Sequence, residues 1–594
     1  MQPIALQPIL TGLKKKRLSV KPFRSRPPLP VMLALFFWLP AQGFSLDFTD
    51  LGKDIGSHAA ALVEHLSDEQ ALAQTFMLGW VGAVPSPLIL DWIRDRHIGG
   101  VKIFGWNTED TTKLAETVGV LQTEALRGPF HIPLLVATDQ EGGWIRHVKG
   151  ATSETPGNMA IGASGRPMDA YWSGYYIGRE LAVLGINMNF APTVDVYTNR
   201  DSVIIGPRAF GADPARVGIL GTAFMKGQHA AGIIATAKHY PGHGDTNLDS
   251  HGVLPQINAS FEQLWERELI PYRLLTKEGL TAIMSGHLAF PNTQAGLTPA
   301  SLSSWFLQDL LRGKLGFQGI IITDDLMMNG ATLSAGSLSQ AAKEALLAGN
   351  DIIMLSKTPR LYDPIWTHLV DAMKQEPQFR ERVRDAARRI LEIKLTYLRG
   401  EQTVPWIPDL KKVASNLPDP EGTAFFLNLA ARSVTLVKGT IEEPADSQEK
   451  PQAPNKGRTA VFPLSPEKAG KVLLAGQYED FFTIGKMAYP AASGYWYDPE
   501  GGTDLVQYAQ NADTIIFCIS NAEGLPFLQS LRGLRKRVIV LSVLSPVHLD
   551  TVPWVDGALA VYSYARESFI AGFSAILGRI PPMGTLPFSV NLVP

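Results

Sequence analysis

Between residues 55 and 400 short apolar runs alternate with longer amphipathic stretches, and this rhythm constrains the fold more than any other feature of the chain. The candidate strands are Val81–Val84, Val101–Phe104, Leu134–Thr138, Ile186–Ala191, Ile233–Ala237, Ala282–Ser285, Ile320–Thr323 and Asp351–Leu355. Between them Glu109–Leu126, Ala215–Ala230, Phe261–Glu278 and Leu338–Leu347 are long enough for helices and spaced for one buried face. Strand and helix alternating through eight rounds predicts an α/β fold, a (β/α)₈ TIM-type barrel over residues 44–399, with a doubly wound open sheet as the alternative. The Arg-rich stretch Phe379–Leu398 reads as the helix that closes the domain.

At 594 residues the chain is longer than one hydrophobic core usually supports, and its 45% apolar content can fill a second. Residues 400–422, with Pro405, Pro408, Pro418 and Pro420 among charges, read as an exposed linker. Residues 423–594 then carry candidate strands Val434–Leu436, Lys471–Leu474, Thr514–Ile519, Val538–Val543 and Ala558–Tyr562, the pattern of a smaller α/β sandwich. The stretch Glu442–Lys456 reads as a polar loop.

The balance of 54 Lys plus Arg against 56 Asp plus Glu argues against nucleic acid or an anionic membrane as a partner. The single cysteine, Cys518, excludes an intramolecular disulfide and thiolate-rich zinc sites, and its apolar surroundings predict a buried strand residue. Near the N-terminus Lys14-Lys15-Lys16-Arg17 and then Lys21, Arg24 and Arg26 precede the apolar stretch Pro30–Leu39 and Ala41-Gln42-Gly43. This order predicts a signal peptide over residues 1–43 and export to a bacterial periplasm or the exterior, with an uncleaved membrane anchor as the alternative. The oligomeric state is not legible.

In a barrel the reactive groups come from the C-terminal ends of the strands and the loops that follow. Asp139-Gln140-Glu141-Gly142-Gly143 follows the third candidate strand, and Lys238 to Thr246 follows the fifth. His287 and Asp324-Asp325 follow the sixth and seventh. An aspartate after a strand is often only a helix N-cap, but four polar clusters at one barrel end point to a site. The segment from Lys238 to His251 is densest in titratable groups, with His239, His243, Asp245, Asp249 and His251 in a Gly- and Pro-opened loop. Such a set could ligate a metal or move protons; the missing helical His-Glu-x-x-His favours protons and no cofactor.

The run Lys238-His239-Tyr240-Pro241-Gly242-His243-Gly244-Asp245-Thr246 resembles the signature of glycoside hydrolase family 3, and Asp249-Ser250-His251 resembles its β-N-acetylhexosaminidase subgroup. Further matches are Asp139–Gly143, Asn189-Phe190-Ala191-Pro192 with Asp195, Arg208-Ala209-Phe210-Gly211 and Thr323–Met328. A weaker likeness runs through Gly578–Pro587.

The resemblance implies an exo-acting retaining enzyme that releases terminal N-acetylglucosamine from peptidoglycan fragments or chitooligosaccharides, without a metal or organic cofactor. Asp324 would be the nucleophile, with His251 as acid and then base, oriented by Asp249. Asp325, its side chain alternating away, reads as a structural partner. Asp139, Arg208, Lys238 and His239 would hold the sugar, with His287 near it. The family's usual arginine after Asp-Gln-Glu-Gly-Gly is displaced, so either Arg146 or His147 takes its place, and Trp144 is either a stacking platform or packing. Trp92, Trp106, Trp172, Trp265 and Trp305 read as packing.

A histidine acid becomes neutral after giving up its proton, so phosphate could enter the same site; phosphorolysis is the mechanistic alternative. Less favoured readings are another family 3 β-glycosidase, whose acid would be a glutamate in the second domain, a metal-dependent hydrolase, and a non-catalytic sugar-binding protein.

Overall fold

A computed structural model describes residues 46–248, 252–400, 403–442, 460–498 and 504–590. The candidate signal segment, the Asp249–His251 pair and most of Glu442–Lys456 lie outside the described residues.

Eight parallel strands close into a barrel. In chain order the strands of this half are β1 Phe76–Gly79, β2 Gly100–Ile103, β3 Leu135–Thr138, β4 Gln140–Gly142, β5 Ile145–Arg146, β6 Met188–Asn189, β7 Ile234–Tyr240, β8 Ala282–Ser285, β9 Ile320–Asp325 and β10 Ile352–Leu355. The ring runs β1-β10-β9-β8-β7-β6-β3-β2, and β4 and β5 form a separate antiparallel hairpin. The first barrel strand is therefore not Val81–Val84, as predicted. Phe76–Gly79 is wholly buried and pairs with β2 and β10, whereas Val81 and Val84 are exposed in the loop beyond it. Apolar composition alone did not separate a strand from the loop it feeds. The stretch Phe261–Glu278 is likewise two helices, Phe261–Glu266 and Leu269–Lys277.

Alternation along the strands sets the two faces. Val101, Ile103, Val136, Ala235, Ala237, Ile283, Ile321 and Ile353 pack outward with helix residues such as Ile89, Leu114 and Val118. Met77, Leu135, Ala137, Ile234, Met284, Ile320, Ile322 and Met354 pack with one another inside the barrel. The helices start on ordinary caps: Asp110 accepts the N–H groups of Thr112 and Lys113, and Asp213 precedes Pro214 and accepts from Arg216. The aspartates at the strand ends are thus not needed as caps here. The helix Pro377–Tyr397 buries Val383, Ala387 and Ile390, closing the barrel from below.

The stretch after residue 400 is not the exposed spacer its prolines predicted. Val404, Val413 and Leu417 are buried in the outer core of the barrel, as are Phe426 and Leu429 of the helix Pro420–Ser433. The prolines break helices while the apolar residues between them pack.

The C-terminal half adds β11 Thr435–Lys438, β12 Val472–Gly476, β13 Ser493–Trp496, β14 Thr514–Ile519, β15 Arg537–Ser542 and β16 Gly557–Ala560. The sheet order is β11-β16-β15-β14-β12-β13, with β11 antiparallel and the rest parallel. Leu474, Ile516 and Leu541 pack on one face with Phe481 and Phe573, and Ile515, Phe517 and Val540 on the other with Leu505 and Leu528. Cys518 is buried in β14, and burial pushes its thiol up, so it is inert packing. The edge strand β13 was not predicted. Its exposed serine, glycine and tryptophan hide the pattern of a buried parallel strand.

The halves are sewn together. Met159, Tyr197 and Ile205 of the barrel loops pack against Ala560, Tyr562 and Phe588, Arg432 pairs with Asp169 at 2.6 Å, and Ala212 N–H donates to the Pro587 carbonyl. A chain ending at residue 399 would expose the face that Val413, Leu417, Phe426 and Leu429 cover. Phe426→Ala is expected to cost about 3 kcal/mol in the full chain. The 46–399 fragment is expected to melt well below the full chain, and equal melting temperatures would contradict a shared core.

Candidate functional site

The inward row of each strand continues to the mouth of the barrel. Lys102 lies between the outward residues Val101 and Ile103. Asp139 continues the inward Leu135 and Ala137, Lys238 continues Ile234, and Asp324 continues Ile320 and Ile322. Backbone alternation alone thus aims four charged side chains at one space.

Three of them form one network. Asp139 Oδ2 lies 2.8 Å from Lys102 Nζ, and Asp139 Oδ1 lies 2.5 Å from Lys238 Nζ. Lys238 Nζ also reaches Glu141 Oε1 at 2.6 Å, and Arg208 grips both oxygens of Glu141 at 2.7 and 2.9 Å. Lys102, Lys238 and Glu141 are buried. Burial opposes the charge of Asp139, yet Lys102 and Lys238 hold its carboxyl well below the usual range. Against the same penalty Arg208 and Lys238 hold Glu141 down at about 2. Burial lowers Lys238, but Asp139 and Glu141 outweigh it and leave the ammonium raised.

The β7–β8 register shifts between Ala237 and Tyr240, and with this irregularity His239 reaches the mouth beside Lys238. His239 Nδ1 lies 2.7 Å from Asp195 Oδ2, and its Nε2 lies 3.3 Å from Arg208 Nη2. Asp195 also accepts the backbone N–H groups of His239 and His243. Burial opposes its charge too, but His239 holds it down at about 2. The His243 ring is buried, and burial together with His239 presses it down to about 4. Gly244 is required: a Cβ there would stand 1.8 Å from the Val196 carbonyl oxygen. Asp245 is drawn aside to Arg267 at 2.6 Å.

Asp324 differs from the other carboxylates. Its Oδ1 accepts the Asp325 N–H at 2.8 Å, and among the described residues no lysine or arginine forms an ion pair with it. Burial works against its charge, but His239, His287, the Asp325 N–H and Lys238 together keep it below its ordinary value. Asp325 turns outward and accepts the N–H groups of Met327 at 3.0 Å and Ser356 at 3.1 Å, a structural role that the alternation predicted.

Other expectations are corrected. His287 is buried with both ring nitrogens engaged, Nδ1 2.7 Å from Ser301 Oγ and Nε2 3.1 Å from the Asp325 carbonyl, so it supports the turn instead of facing a ligand. Of the two residues competing for the displaced arginine's place, His147 is at the site, its Nδ1 3.3 Å from Lys102 Nζ and 3.5 Å from Asp139 Oδ2. Burial and Lys102 push this imidazole down to about 4, so it is neutral at neutral pH. Arg146 instead donates to the Thr152 carbonyl at 3.0 Å and to Glu154 at 3.3 Å, outside the network. Trp144, at the tip of the β4–β5 hairpin, lines a cavity of about 770 Å³ with Tyr197 and Arg200 of the barrel loops and Ser520 and His548 of the second half. Trp106, read as packing, is 47% exposed.

Lys102, Glu141 and Asp195 were not singled out as site residues from the sequence. Lys102 had a signal, a lone charge inside the apolar run Gly100–Ile103, and Asp195 another, between Val194 and Val196.

Residues 74–393 match the family model for the glycosyl hydrolase family 3 N terminal domain. Beta-hexosaminidase A of Pseudoalteromonas piscicida is 28% identical, the alignment covering 90% of this chain and 99% of that protein. A beta-hexosaminidase of Tolumonas auensis is 39% identical over 44% of this chain and 76% of its own length. The structure of a glycoside hydrolase family 3 beta-N-acetylglucosaminidase from Paenibacillus sp. str. FPU-7 superposes with a TM-score of 0.77 at 27% identity, covering 89% of this chain and all of that one.

Lys238→Met would leave Glu141 and Asp139 with one cation each. The expected cost is about 3 kcal/mol at pH 7. The deficit should shrink as the pH falls through 5 toward 4, because the carboxyls in the variant protonate first while the native pair, with Glu141 at about 2, stays charged. Urea unfolding at the two pH values reads this, and a pH-independent deficit would contradict it.

Proposed function

The chain belongs to glycosyl hydrolase family 3 and is a glycoside hydrolase, and on that premise we propose that it is an exo-acting, retaining β-N-acetylhexosaminidase for terminal N-acetylglucosamine. The observation that carries this reading is the contrast among the mouth carboxylates. Asp139 and Glu141 are locked to cations, whereas Asp324 is kept ionised without a cation in hydrogen-bond contact among the described residues. A nucleophile needs that combination, negative charge with free lone pairs. The similar proteins, two beta-hexosaminidases and a beta-N-acetylglucosaminidase, support the choice of sugar.

In the proposed sequence an Asp324 oxygen attacks the anomeric carbon as the glycosidic C–O bond breaks, and the departing oxygen takes a proton from His251. Asp249 holds the imidazole in orientation and raises its affinity for that proton. In the second half neutral His251 removes a proton from water, whose oxygen attacks the anomeric carbon, restoring Asp324 and the β-configuration. Asp139 accepts from sugar hydroxyls, the His147 ring, whose Nδ1 accepts from Lys102, offers its Nε2–H to a sugar oxygen, and Lys238, Arg208 and His239 lie behind them as positioning groups. Peptidoglycan fragments and chitooligosaccharides are the proposed substrates, and export through an N-terminal signal is the proposed route. No helix among the described residues is long and apolar enough to cross a membrane.

Asp324→Ala is expected to lower kcat on a chromogenic N-acetylglucosaminide by roughly a thousandfold or more. The first sugar released by the native enzyme, followed by NMR, should be the β-anomer, and initial release of the α-anomer would sink the retaining mechanism. His251→Ala should cripple substrates with poor leaving groups far more than activated ones, and equal losses on both would remove His251 from the acid role.

A further inference from the structure

Lys102 is a costly residue for its place in the barrel. Its side chain is wholly buried, so an ammonium has been taken out of water where the neighbouring inward positions are apolar. Asp139 alone does not account for it, because Lys238 already meets that carboxylate at Oδ1. The Lys102 Nζ lies 2.8 Å from Asp139 Oδ2, donates to the Ile103 carbonyl at 2.8 Å and lies 3.3 Å from His147 Nδ1. The rings of Phe104 and Phe190 stand 4.3 and 5.4 Å from it. Burial lowers its affinity for the proton, and the Asp139 carboxylate in contact opposes that. An ammonium has three N–H donors and no acceptor, and three acceptors stand here to take them.

This pairing decides the His147 tautomer. Nδ1 faces a group that can only donate, so Nδ1 accepts and the ring carries its proton on Nε2. The residue is fixed from other sides too. His147 N–H donates to the Asp139 carbonyl at 3.0 Å, Thr108 Oγ1 donates to the His147 carbonyl at 2.5 Å, and the ring lies 5.7 Å from that of Phe104. Nε2 has no hydrogen-bond partner among the described residues, and 29% of the side chain is exposed. The ring thus presents a single N–H beside Asp139, whose Oδ2 lies 3.5 Å from the other ring nitrogen. A carboxylate that accepts and an N–H that donates, side by side, match a group that does both, which is a hydroxyl. An ether or a deoxy position leaves at least one of them unpaired.

We propose that Lys102 is a positioning residue that commits His147 to its Nε2–H tautomer, and that His147 and Asp139 together read one free hydroxyl of the terminal sugar. The proposal rests on the hexosaminidase reading above. Lys102 is enclosed and acts on the sugar only through His147. The role expected of an arginine in this loop is thereby divided between two residues. Lys102 supplies charge to Asp139 from the neighbouring strand, and His147 supplies an uncharged donor.

The test has two arms. In the first, a chromogenic N-acetylglucosaminide is compared with its three deoxy analogues, each lacking one free hydroxyl, in the full-length native enzyme and in His147→Ala. His147→Ala should shrink the kcat/KM penalty for one analogue by roughly tenfold, the scale of one hydrogen bond, and leave the penalties for the other two as they are. Penalties unchanged for all three, or changed for all alike, would overturn the hydroxyl contact. In the second arm, NMR of nitrogen-15 histidine follows the His147 ring, assigned by its absence from His147→Ala. The native ring should carry its proton on Nε2 and stay neutral down to about pH 5, since burial and Lys102 press it down to about 4. The charged groups around it are Lys102, Asp139, Lys238 and Glu141. In Lys102→Met the nearest cation is gone while Asp139 remains, so the ring should take up its proton at a higher pH. A native proton on Nδ1, or the same titration in both proteins, would overturn the role of Lys102, and the native spectrum decides the tautomer even where Lys102→Met fails to fold. A native enzyme that left the parent glycoside intact would overturn the hexosaminidase reading and the hydroxyl contact with it.

Discussion

The site depends on one shared interaction, the ammonium of Lys238 held between the carboxylates of Asp139 and Glu141 inside the barrel mouth. Taking two carboxylates out of water is costly unless cations meet them, and here Lys102 and Arg208 complete the pairing on either side. Removing a carboxylate leaves buried positive charge in excess, and removing Lys238 strips each carboxylate of one of its two cations, so the network holds its members at fixed places. It also sets the field in which Asp324 sits. Lys238 and His239 keep that carboxyl ionised from a distance without occupying its oxygens.

The barrel supplies this arrangement through strand geometry. Successive side chains alternate, so the inward row of β2, β3, β7 and β9 ends in Lys102, Asp139, Lys238 and Asp324. The same alternation turns Asp325 outward, where it closes the turn by accepting the N–H groups of Met327 and Ser356. Loops refine the site: the β4–β5 hairpin carries Glu141 toward Arg208, and the close approach of Gly244 to Val196 seats the segment that leads to Asp249 and His251.

Much of this was legible in the chain because barrel periodicity and the polar ends of strands are both local signals. The barrel, β8 and β14 to the residue, and the strand-end placement of Asp139, Lys238 and His239 could be read without coordinates, whereas Arg208 entered only through the family resemblance. The failures share a cause: the pattern of hydrophobicity reports that a residue is apolar, not what covers it. Val81–Val84 looked like a strand and is an exposed loop; Pro405–Pro420 looked like a spacer and carries part of the barrel core; Trp106 looked like packing and is open. His287 failed in the opposite sense, since its partners Ser301 and the Asp325 carbonyl come from distant segments that no local window contains. The division of labour between Arg146 and His147 likewise needed the placement of Glu154 and Lys102.

The central claim is that Asp324 forms the bond to sugar. It is tested most directly by trapping: the native enzyme is incubated with a fluorinated N-acetylglucosaminyl fluoride, which slows release of the sugar, then digested and mapped by mass spectrometry. The account predicts one N-acetylglucosaminyl ester, on the peptide carrying Asp324. An ester on Asp139, Glu141 or another carboxylate, or continued turnover of the reagent with no labelled peptide at any time, would contradict it.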